Sequence, residues 1–304
     1  MKIDAHLHLM EHLSSFCGSG QGRAIGGGKV KMDTGEIIQM VPDGMGDYGF
    51  GYQDAIKLMD ANGVDKAVLM QSSFYTFQND YVLEAAAAYP GRFHPVAALD
   101  PFCNKRDVIL DNFINKCKFK ALKFEVSEPF GLTSYHPGYK MDGPEMMPVY
   151  EAADANGLTL VFDLGGNTQS CYQIDAFDKL TKKFKNAKFI FCHLLCIRSK
   201  DQAGWEDEMK ALMGENVWFD YSSLSYNIRE PYPYPTSIYH AEKAANMVGA
   251  DRLIWGSDTP FVLAVDPYEN LMNYLYESKI LKADQIDRMM ADNAIDAYGI
   301  TVGD

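Results

Sequence analysis

Residues 2–10 read KIDAHLHLM, an apolar segment that is interrupted by one aspartate and two histidines. Side chains alternate between the two faces of a β-strand, so Asp4, His6 and His8 are predicted to share one face and the apolar residues the other. Three titratable groups on one strand face are costly to bury unless something pairs with them. A metal ion would remove that cost, so the segment predicts a strand that supplies metal ligands.

Seven further short apolar runs follow this strand, and helix-like segments separate them. Their centres are continuously apolar, which is typical of parallel strands that are buried on both faces. Segments 52–63 and 147–157 end at a glycine, as helices often do. Eight strands that alternate with helices predict an α/β fold, namely a (β/α)8 TIM-type barrel. A doubly wound open sheet is the alternative, but no G-x-G-x-x-G follows the first strand. The runs begin at Asp65, Phe93, Phe119, Leu158, Ala187, Val217 and Arg252.

The whole chain, residues 1–304, is predicted to form a single barrel domain with a glycine-rich insertion after strand 1. Residues 9–64 contain the stretches GSGQGRAIGGGKVKMDTGE and PDGMGDYGFG. So many glycines are typical of a mobile loop, and a long loop after the first strand lies over the mouth of the barrel. We therefore expect a lid or substrate loop in 9–64, with a passive surface insertion as the alternative.

Composition narrows the class of partner. The chain has 28 Lys and Arg against 41 Asp and Glu, a formal charge of -13, which argues against nucleic acid or an anionic membrane. No apolar run approaches the ~18 residues that span a bilayer, and no targeting segment is predicted. The six cysteines are scattered, as is typical of reduced thiols. We expect a cytoplasmic protein with a small-molecule substrate.

Polar residues lie at the ends of the predicted strands. In a barrel of this type the active site forms at the C-terminal ends of the strands, so these side chains are expected to face one mouth. Imidazole and carboxylate groups suit zinc, manganese or iron. The residues are His6 and His8 on strand 1, Lys123 on strand 4, Asp163 on strand 5, His193 on strand 6 and Asp258 on strand 8.

The stretches DAHLH (4–8), FCHLL (191–195) and IWGSDTP (254–260) resemble the signatures of the amidohydrolase superfamily. The resemblance is to its amidohydrolase-related branch, which includes aminocarboxymuconate-semialdehyde decarboxylase, and it extends to ADNAIDAYGI (291–300). That branch contains metal-dependent hydrolases, lactonases and non-oxidative decarboxylases. The resemblance therefore implies a metal-dependent enzyme on a TIM barrel, and members of the family often pair into a homo-oligomer.

The resemblance also assigns roles to the strand-end residues. His6 and His8 match the paired histidine ligands, and Asp258 matches the aspartate that binds the metal and handles the proton of its water. His193 matches a histidine that contacts substrate or transfers protons. Asp163 stands where the family usually has a further histidine ligand, so it is the fourth expected ligand. One divalent ion is implied, with zinc first and manganese as the alternative, because aspartate adds negative charge and weakens the Lewis acid.

Four residues are candidates for substrate binding. Single-metal relatives use a lysine or arginine near the position of Lys123 to bind substrate anions, whereas two-metal members carboxylate a lysine there. The first role is favoured because the strand-5 histidine of the two-metal set is missing. His136 and Arg23 lie in loops expected to overhang the mouth, and Tyr226 follows strand 7. An ordinary surface-loop role is the alternative for these three.

The residues support three functional hypotheses. The first is metal-assisted hydrolysis of a lactone, ester or amide of a small carboxylated molecule, in which Asp258 takes the proton of water and His193 polarises the carbonyl. The second is a non-oxidative decarboxylase or hydratase that acts on an aromatic or unsaturated carboxylate. The third is a barrel that has lost catalysis and binds a metabolite.

Overall fold

A computed structural model describes residues 1–18 and 20–302 of the chain. Eight parallel strands follow one another around the centre, and four further strands lie in the insertion. In chain order the strands are β1 (Ile3–His8), β2 (Ser14–Cys17), β3 (Gly20–Gly26), β4 (Lys29–Met32), β5 (Ile37–Gln39), β6 (Lys66–Met70), β7 (Phe93–Pro95) with its continuation β8 (Ala97–Ala98), β9 (Ala121–Glu125), β10 (Thr159–Asp163), β11 (Lys188–Phe191), β12 (Val217–Asp220) and β13 (Leu253–Ile254).

The parallel strands form a ring. Hydrogen bonding orders them as β1-β6-β7 and as β8-β9-β10-β11-β12-β13, and the chain itself runs directly from β7 into β8. On the other side, the Ala5 amide donates to the Trp255 carbonyl over 3.1 Å and the His8 amide to the Thr259 carbonyl over 2.8 Å. These bonds join the first strand to the segment after the last. The predicted (β/α)8 TIM-type fold is confirmed.

Helices surround the strands, and the predicted helices at 52–63 and 147–157 end at Gly63 and Gly157, both in the left-handed conformation. No helix within the described residues is long and apolar enough to cross a membrane. The helices are α1 (Tyr52–Asn62), α2 (Asn79–Ala88), α3 (Arg106–Asp111), α4 (Leu132–Tyr135), α5 (Met147–Asn156), α6 (Ile174–Lys183), α7 (Trp205–Ala211), α8 (Leu224–Ile228), α9 (Pro235–Val248), α10 (Tyr268–Ser278), α11 (Ala283–Met290) and α12 (Asp292–Tyr298).

Apolar side chains fill the N-terminal part of the barrel. Ile3, Val68, Val161 and Ile254, among others from the strands, pack against alanines and the tyrosine of α12. A larger second core lies between the strands and the outer helices. Because the N-terminal part is filled with apolar side chains, the polar residues at the C-terminal ends of the strands form the floor of the mouth.

The alternation expected for β1 does not hold along the whole strand. The register pairs Asp4 with Ala67 but Leu7 with Leu69, so β1 contains one extra residue between these pairs. This bulge keeps Ala5 in the interior core and still turns His6 and His8 inward. Asp4 therefore does not share their face: its carboxylate binds Ser257 and Tyr268 instead.

A left-handed turn, His193–Cys196, follows β11. All four residues have positive φ, between 47° and 62°, a conformation that non-glycine residues adopt at a cost of about 1–2 kcal/mol each. Cys192 belongs to the interior core, so regular alternation would turn the next residue outward. The turn at His193 reverses that direction and brings its imidazole into the mouth beside His6.

The glycine-rich insertion is not an irregular loop. Strands β2 to β5 form an antiparallel sheet. Val30 and Met32 of this sheet belong to the larger core that lies between the strands and the outer helices. A Cβ at Gly22 would lie 2.5 Å from a Val30 methyl carbon and 2.6 Å from the Met32 sulfur. Here glycine serves close packing. A lid or substrate role for 9–64 stays a prediction.

We predict that Gly256→Ala destabilises the closure between β1 and the last strand. A Cβ at position 256 would lie 2.4 Å from the His6 Cβ and 2.8 Å from the His6 amide nitrogen, and neither atom can move freely. We expect the free energy of unfolding in urea to fall by about 2 kcal/mol.

The matched control is Gly214→Ala, whose Cβ would approach no atom closer than the Asn216 side-chain oxygen at 3.2 Å. Its effect should stay within about 0.5 kcal/mol. Equal stability of the two variants would contradict the crowding that we describe at position 256.

Candidate metal centre

Three side chains from the two ends of the chain converge inside the mouth. The Nε2 atoms of His6 and His8 lie 3.2 Å apart. Oδ1 of Asp258 is 3.3 Å from His8 Nε2 and 3.7 Å from His6 Nε2. Both imidazoles are buried, and the Asp258 side chain is 13% exposed. The two nitrogens and the oxygen are thus close enough to contact one shared ion.

Each histidine is fixed by a partner on its other ring nitrogen. His6 Nδ1 lies 2.5 Å from Oδ2 of Asp220, and His8 Nδ1 lies 2.7 Å from the Tyr75 hydroxyl. Such partners orient metal-binding imidazoles and set which nitrogen faces the ion. Sequence reasoning missed both. Asp220 ends the strand VWFD, as Asp163 ends its own strand, and this signal could have identified it.

The protonation states of these groups suit a metal. Burial lowers the pKa of His8 to about 3, so its imidazole is neutral across the neutral range. Burial opposes the ionisation of Asp258, but the hydrogen bond with His8 and the nearby His6 and His193 hold the pKa of its carboxyl well below the usual range. The triad therefore offers the neutral His8 imidazole and the Asp258 carboxylate.

These donors fit a divalent ion. Two histidines with one carboxylate form a ligand set that catalytic zinc uses, with a further position left for water or substrate. Among the described residues, His6, His193 and Asp220 form the other group of this kind. There, however, the Asp220 oxygen already makes a short hydrogen bond with His6. The triad of His6, His8 and Asp258 is the better site.

Asp163, the fourth expected ligand, lies beside His193. Its Oδ2 is 3.3 Å from His193 Nε2, and it belongs to neither group of converging ligand atoms in the described chain. His193 Nδ1 lies 2.9 Å from the Ser222 hydroxyl and 3.1 Å from the Ser222 carbonyl. Burial favours the neutral imidazole, but the Asp163 carboxylate outweighs it and raises the pKa of His193 to about 10.

Lys123 reaches the same centre from β9. Its Nζ is 3.4 Å from His6 Nε2, and the side chain is buried. Burial disfavours the ammonium, but the carboxylates of Glu125, Asp163 and Asp258 together raise the pKa of Lys123. A positive charge is thus held 3.4 Å from the nitrogen that an ion would use. Sequence reasoning missed Glu125, whose pKa burial and the Asp163 carboxylate raise to about 8.

The other predicted substrate residues do not contact this triad through any described polar contact. His136 pairs with Asp100 through Nε2 and Oδ2 at 2.8 Å. Arg23 lies in β3, on the exposed face of the insertion sheet. Tyr226 lies in α8 and is 45% exposed. Lys123 is the one substrate candidate that the structure brings to the centre.

Comparisons with known proteins agree with this geometry. The sequence model of the amidohydrolase family matches residues 3–300. No curated protein matches the chain. Solved structures that resemble it include an amidohydrolase from Burkholderia multivorans with bound zinc, which is 15% identical with a TM-score of 0.71 over 99% of this chain and 100% of that one.

Two further solved structures are similar. A probable 2-pyrone-4,6-dicarboxylic acid hydrolase from Acinetobacter baumannii, with bound citric acid, is 15% identical with a TM-score of 0.69 over 98% of this chain and 99% of that one. The 5-carboxyvanillate decarboxylase from Sphingomonas paucimobilis is 15% identical with a TM-score of 0.58 over 82% and 83%. At these identities the likeness is one of fold. The match of the family model across nearly the whole chain goes further, and this protein belongs to the amidohydrolase family.

Proposed function

We propose that this protein binds one divalent cation through His6, His8 and Asp258 and hydrolyses a lactone, ester or amide of a small carboxylated molecule. Zinc is the first choice of ion and manganese the alternative. The observation that carries the proposal is the convergence of two Nε2 atoms and one carboxylate oxygen within 3.7 Å of one another. Asp220 and Tyr75, which orient the two imidazoles, also support it.

When bound, a divalent cation supplies Lewis acidity, which polarises a carbonyl and makes water a stronger acid. Asp258 directs Oδ1 at the histidine nitrogens, so its second oxygen is available to accept a proton from attacking water. The imidazolium of His193, held by Asp163, can donate a hydrogen bond to the developing oxyanion or a proton to the leaving group.

Lys123 supports a carboxylated substrate, because its ammonium provides positive charge at the floor of the mouth. Two of the similar structures, a probable dicarboxylic acid hydrolase and a carboxyvanillate decarboxylase, point to the same substrate class. Roles for His136, Arg23 and Tyr226 remain predictions from the sequence, as does a homo-oligomer. We also propose a cytoplasmic location, since all six cysteines are free thiols.

Decarboxylation or hydration of an aromatic or unsaturated carboxylate is the second candidate. The favouring observation is the Asp163–His193 pair, which keeps a proton donor in the mouth at neutral pH. Decarboxylases also occur among the similar folds. Protonation of carbon needs such a donor, but so does departure of an alcohol or amine. The geometry therefore suits both reactions, and the match to the amidohydrolase family is the reason to rank hydrolysis first.

Metal content tests the ligand set. We expect about one divalent ion per chain in the purified protein, and at least a tenfold loss of affinity in Asp258→Asn and His8→Gln. Asp220→Asn should weaken binding by about 10–100-fold, because it orients His6. Asp163→Asn should keep its ion, because Asp163 faces His193. Elemental analysis after dialysis measures all four.

Asp54→Asn is the control, since Asp54 is an exposed aspartate paired with Lys57 on the surface. Loss of metal in Asp163→Asn would restore Asp163 as a ligand, as the sequence predicts. Full metal content in Asp258→Asn would refute the proposed site.

A substrate panel separates the two candidate reactions. We expect metal-loaded protein to open carboxylated lactones, or to cleave the corresponding esters or amides, with release of acid in a pH-stat. Chelation should abolish turnover, and added zinc or manganese should restore it. Release of CO2 from aromatic acids, with no turnover of lactones, would instead establish the second candidate.

The pH dependence tests the role of His193. Its pKa is raised from 6.5 to about 10, so the imidazolium persists below pH 10 and is lost as the pH rises above it. We therefore expect kcat/KM to hold on the alkaline side until about pH 10. Asp163→Asn removes the attraction for the proton, so the alkaline fall should move at least one pH unit lower.

Glu11→Gln is the control, because it removes a carboxylate from an exposed pair with His12. It should leave the alkaline limb in place. An unchanged limb in Asp163→Asn would mean that His193 does not carry the proton that the reaction needs.

A further inference from the structure

A second concave site lies on the same face of the barrel, beside the metal centre. It is a cavity of about 700 Å³ between the insertion sheet and the loops that follow the second, third and fourth barrel strands. None of the described residues that line it belongs to the triad. Protein interiors leave few voids larger than a water molecule, whereas cavities of this size are typical of small-molecule sites.

The cavity shares a wall with the metal centre. Ser73 lines the cavity, and two residues further on the Tyr75 hydroxyl binds His8 Nδ1. Tyr135 also lines it, and its hydroxyl lies 3.0 Å from the Ser73 carbonyl. The turn Ser73–Tyr75 therefore separates the two sites and contacts both.

Flat aromatic surfaces form much of the lining. The rings of Phe16 and Tyr135 stack with centroids 5.5 Å apart and planes 10° apart. Phe77 and Leu132 add further apolar surface. Parallel rings at an open rim favour a planar aromatic guest, because offset stacking adds to the gain from burying apolar area.

The lining contains the hydroxyl side chains of Ser73, Thr76 and Ser134 and one ionisable pair, Asp100 with His136. Since a carboxylate can only accept, the 2.8 Å contact requires His136 Nε2 to donate. In the neutral imidazole Nδ1 is then an acceptor, and no described residue provides it with a hydrogen-bond partner. His136 also stacks on Phe102 at 4.0 Å, which fixes the plane of the ring.

The charges of the lining determine which polar group a bound aromatic molecule can carry. The described lining contains no lysine or arginine, and Asp100 is its one acidic residue. A carboxylate ligand would be repelled by that acid, whereas a neutral hydroxyl could donate to His136 Nδ1. We propose that this cavity is a separate binding site for a neutral, planar phenol-type molecule. It goes beyond the proposed reaction and does not depend on it.

Fluorine NMR tests the site with three probes of one ring size: 4-fluorophenol, fluorobenzene and 4-fluorobenzoate. We expect saturable binding of the phenol, about fivefold weaker binding of fluorobenzene and at least tenfold weaker binding of the benzoate. The phenol should bind equally to metal-loaded protein and to Asp258→Asn, which separates this site from the metal centre.

Two variants locate the binding. His136→Phe keeps the stacking ring but removes the acceptor, so it should abolish the preference for the phenol over fluorobenzene. His12→Phe, the same change at an exposed histidine outside the cavity, should leave that preference intact. Leu132→Trp should fill the cavity and block all three probes, with folding checked by circular dichroism.

The proposal would be overturned by no saturable binding of the phenol, by equal binding of phenol and benzoate, or by an unchanged preference for the phenol in His136→Phe. Tighter binding of 4-fluorobenzylamine than of 4-fluorophenol would also overturn it, because the site would then select a cation through Asp100. None of these results bears on the hydrolysis or metal-content experiments.

Discussion

The buried pair of His6 and Asp220 is the interaction on which the candidate centre depends. Alone, either group would be costly to bury, but the 2.5 Å contact satisfies both. Burial opposes the ionisation of Asp220, but His6, His193 and the Ser222 side chain nonetheless hold the pKa of its carboxyl below the usual range. Nδ1 of His6 is bound to Asp220, which ends strand β12. The opposite ring nitrogen, Nε2, therefore faces His8 and Asp258.

A second buried carboxylate positions the other half of the centre. Asp4 accepts hydrogen bonds from the Ser257 amide at 2.9 Å, the Ser257 hydroxyl at 2.5 Å and the Tyr268 hydroxyl at 2.6 Å. Burial raises the pKa of Asp4 despite these donors. Since Ser257 precedes Asp258, Asp4 couples the start of the chain to the residue that completes the triad. The Asp4 carboxylate therefore joins β1 to the segment after the last strand and is not a metal ligand.

Regular strands explain what the sequence could predict. Lys123 and Asp163 lie on the interior faces of β9 and β10 by simple alternation, and the same rule would have identified Asp220. His6, His193 and Asp258 instead depend on a bulge, a left-handed turn and a residue with φ of 58°. These departures from regular strand geometry arise from tertiary contacts. The sequence motifs therefore predicted the three residues, but the alternation of a regular strand could not predict which way their side chains point. The sheet of β2 to β5 was not predicted, because its many glycines are typical of a loop.

The position of Asp163 bears on the chemistry that the centre supports. As a fourth ligand it would give the site two carboxylates, which would neutralise a divalent ion and weaken it as a Lewis acid. Beside His193, its charge is instead balanced by the imidazolium. The triad of His6, His8 and Asp258 then contributes a single carboxylate, so a divalent ion held there would retain a net positive charge. The negative charge of Asp163 thus acts on the proton of His193 and not on the ligand atoms of the triad.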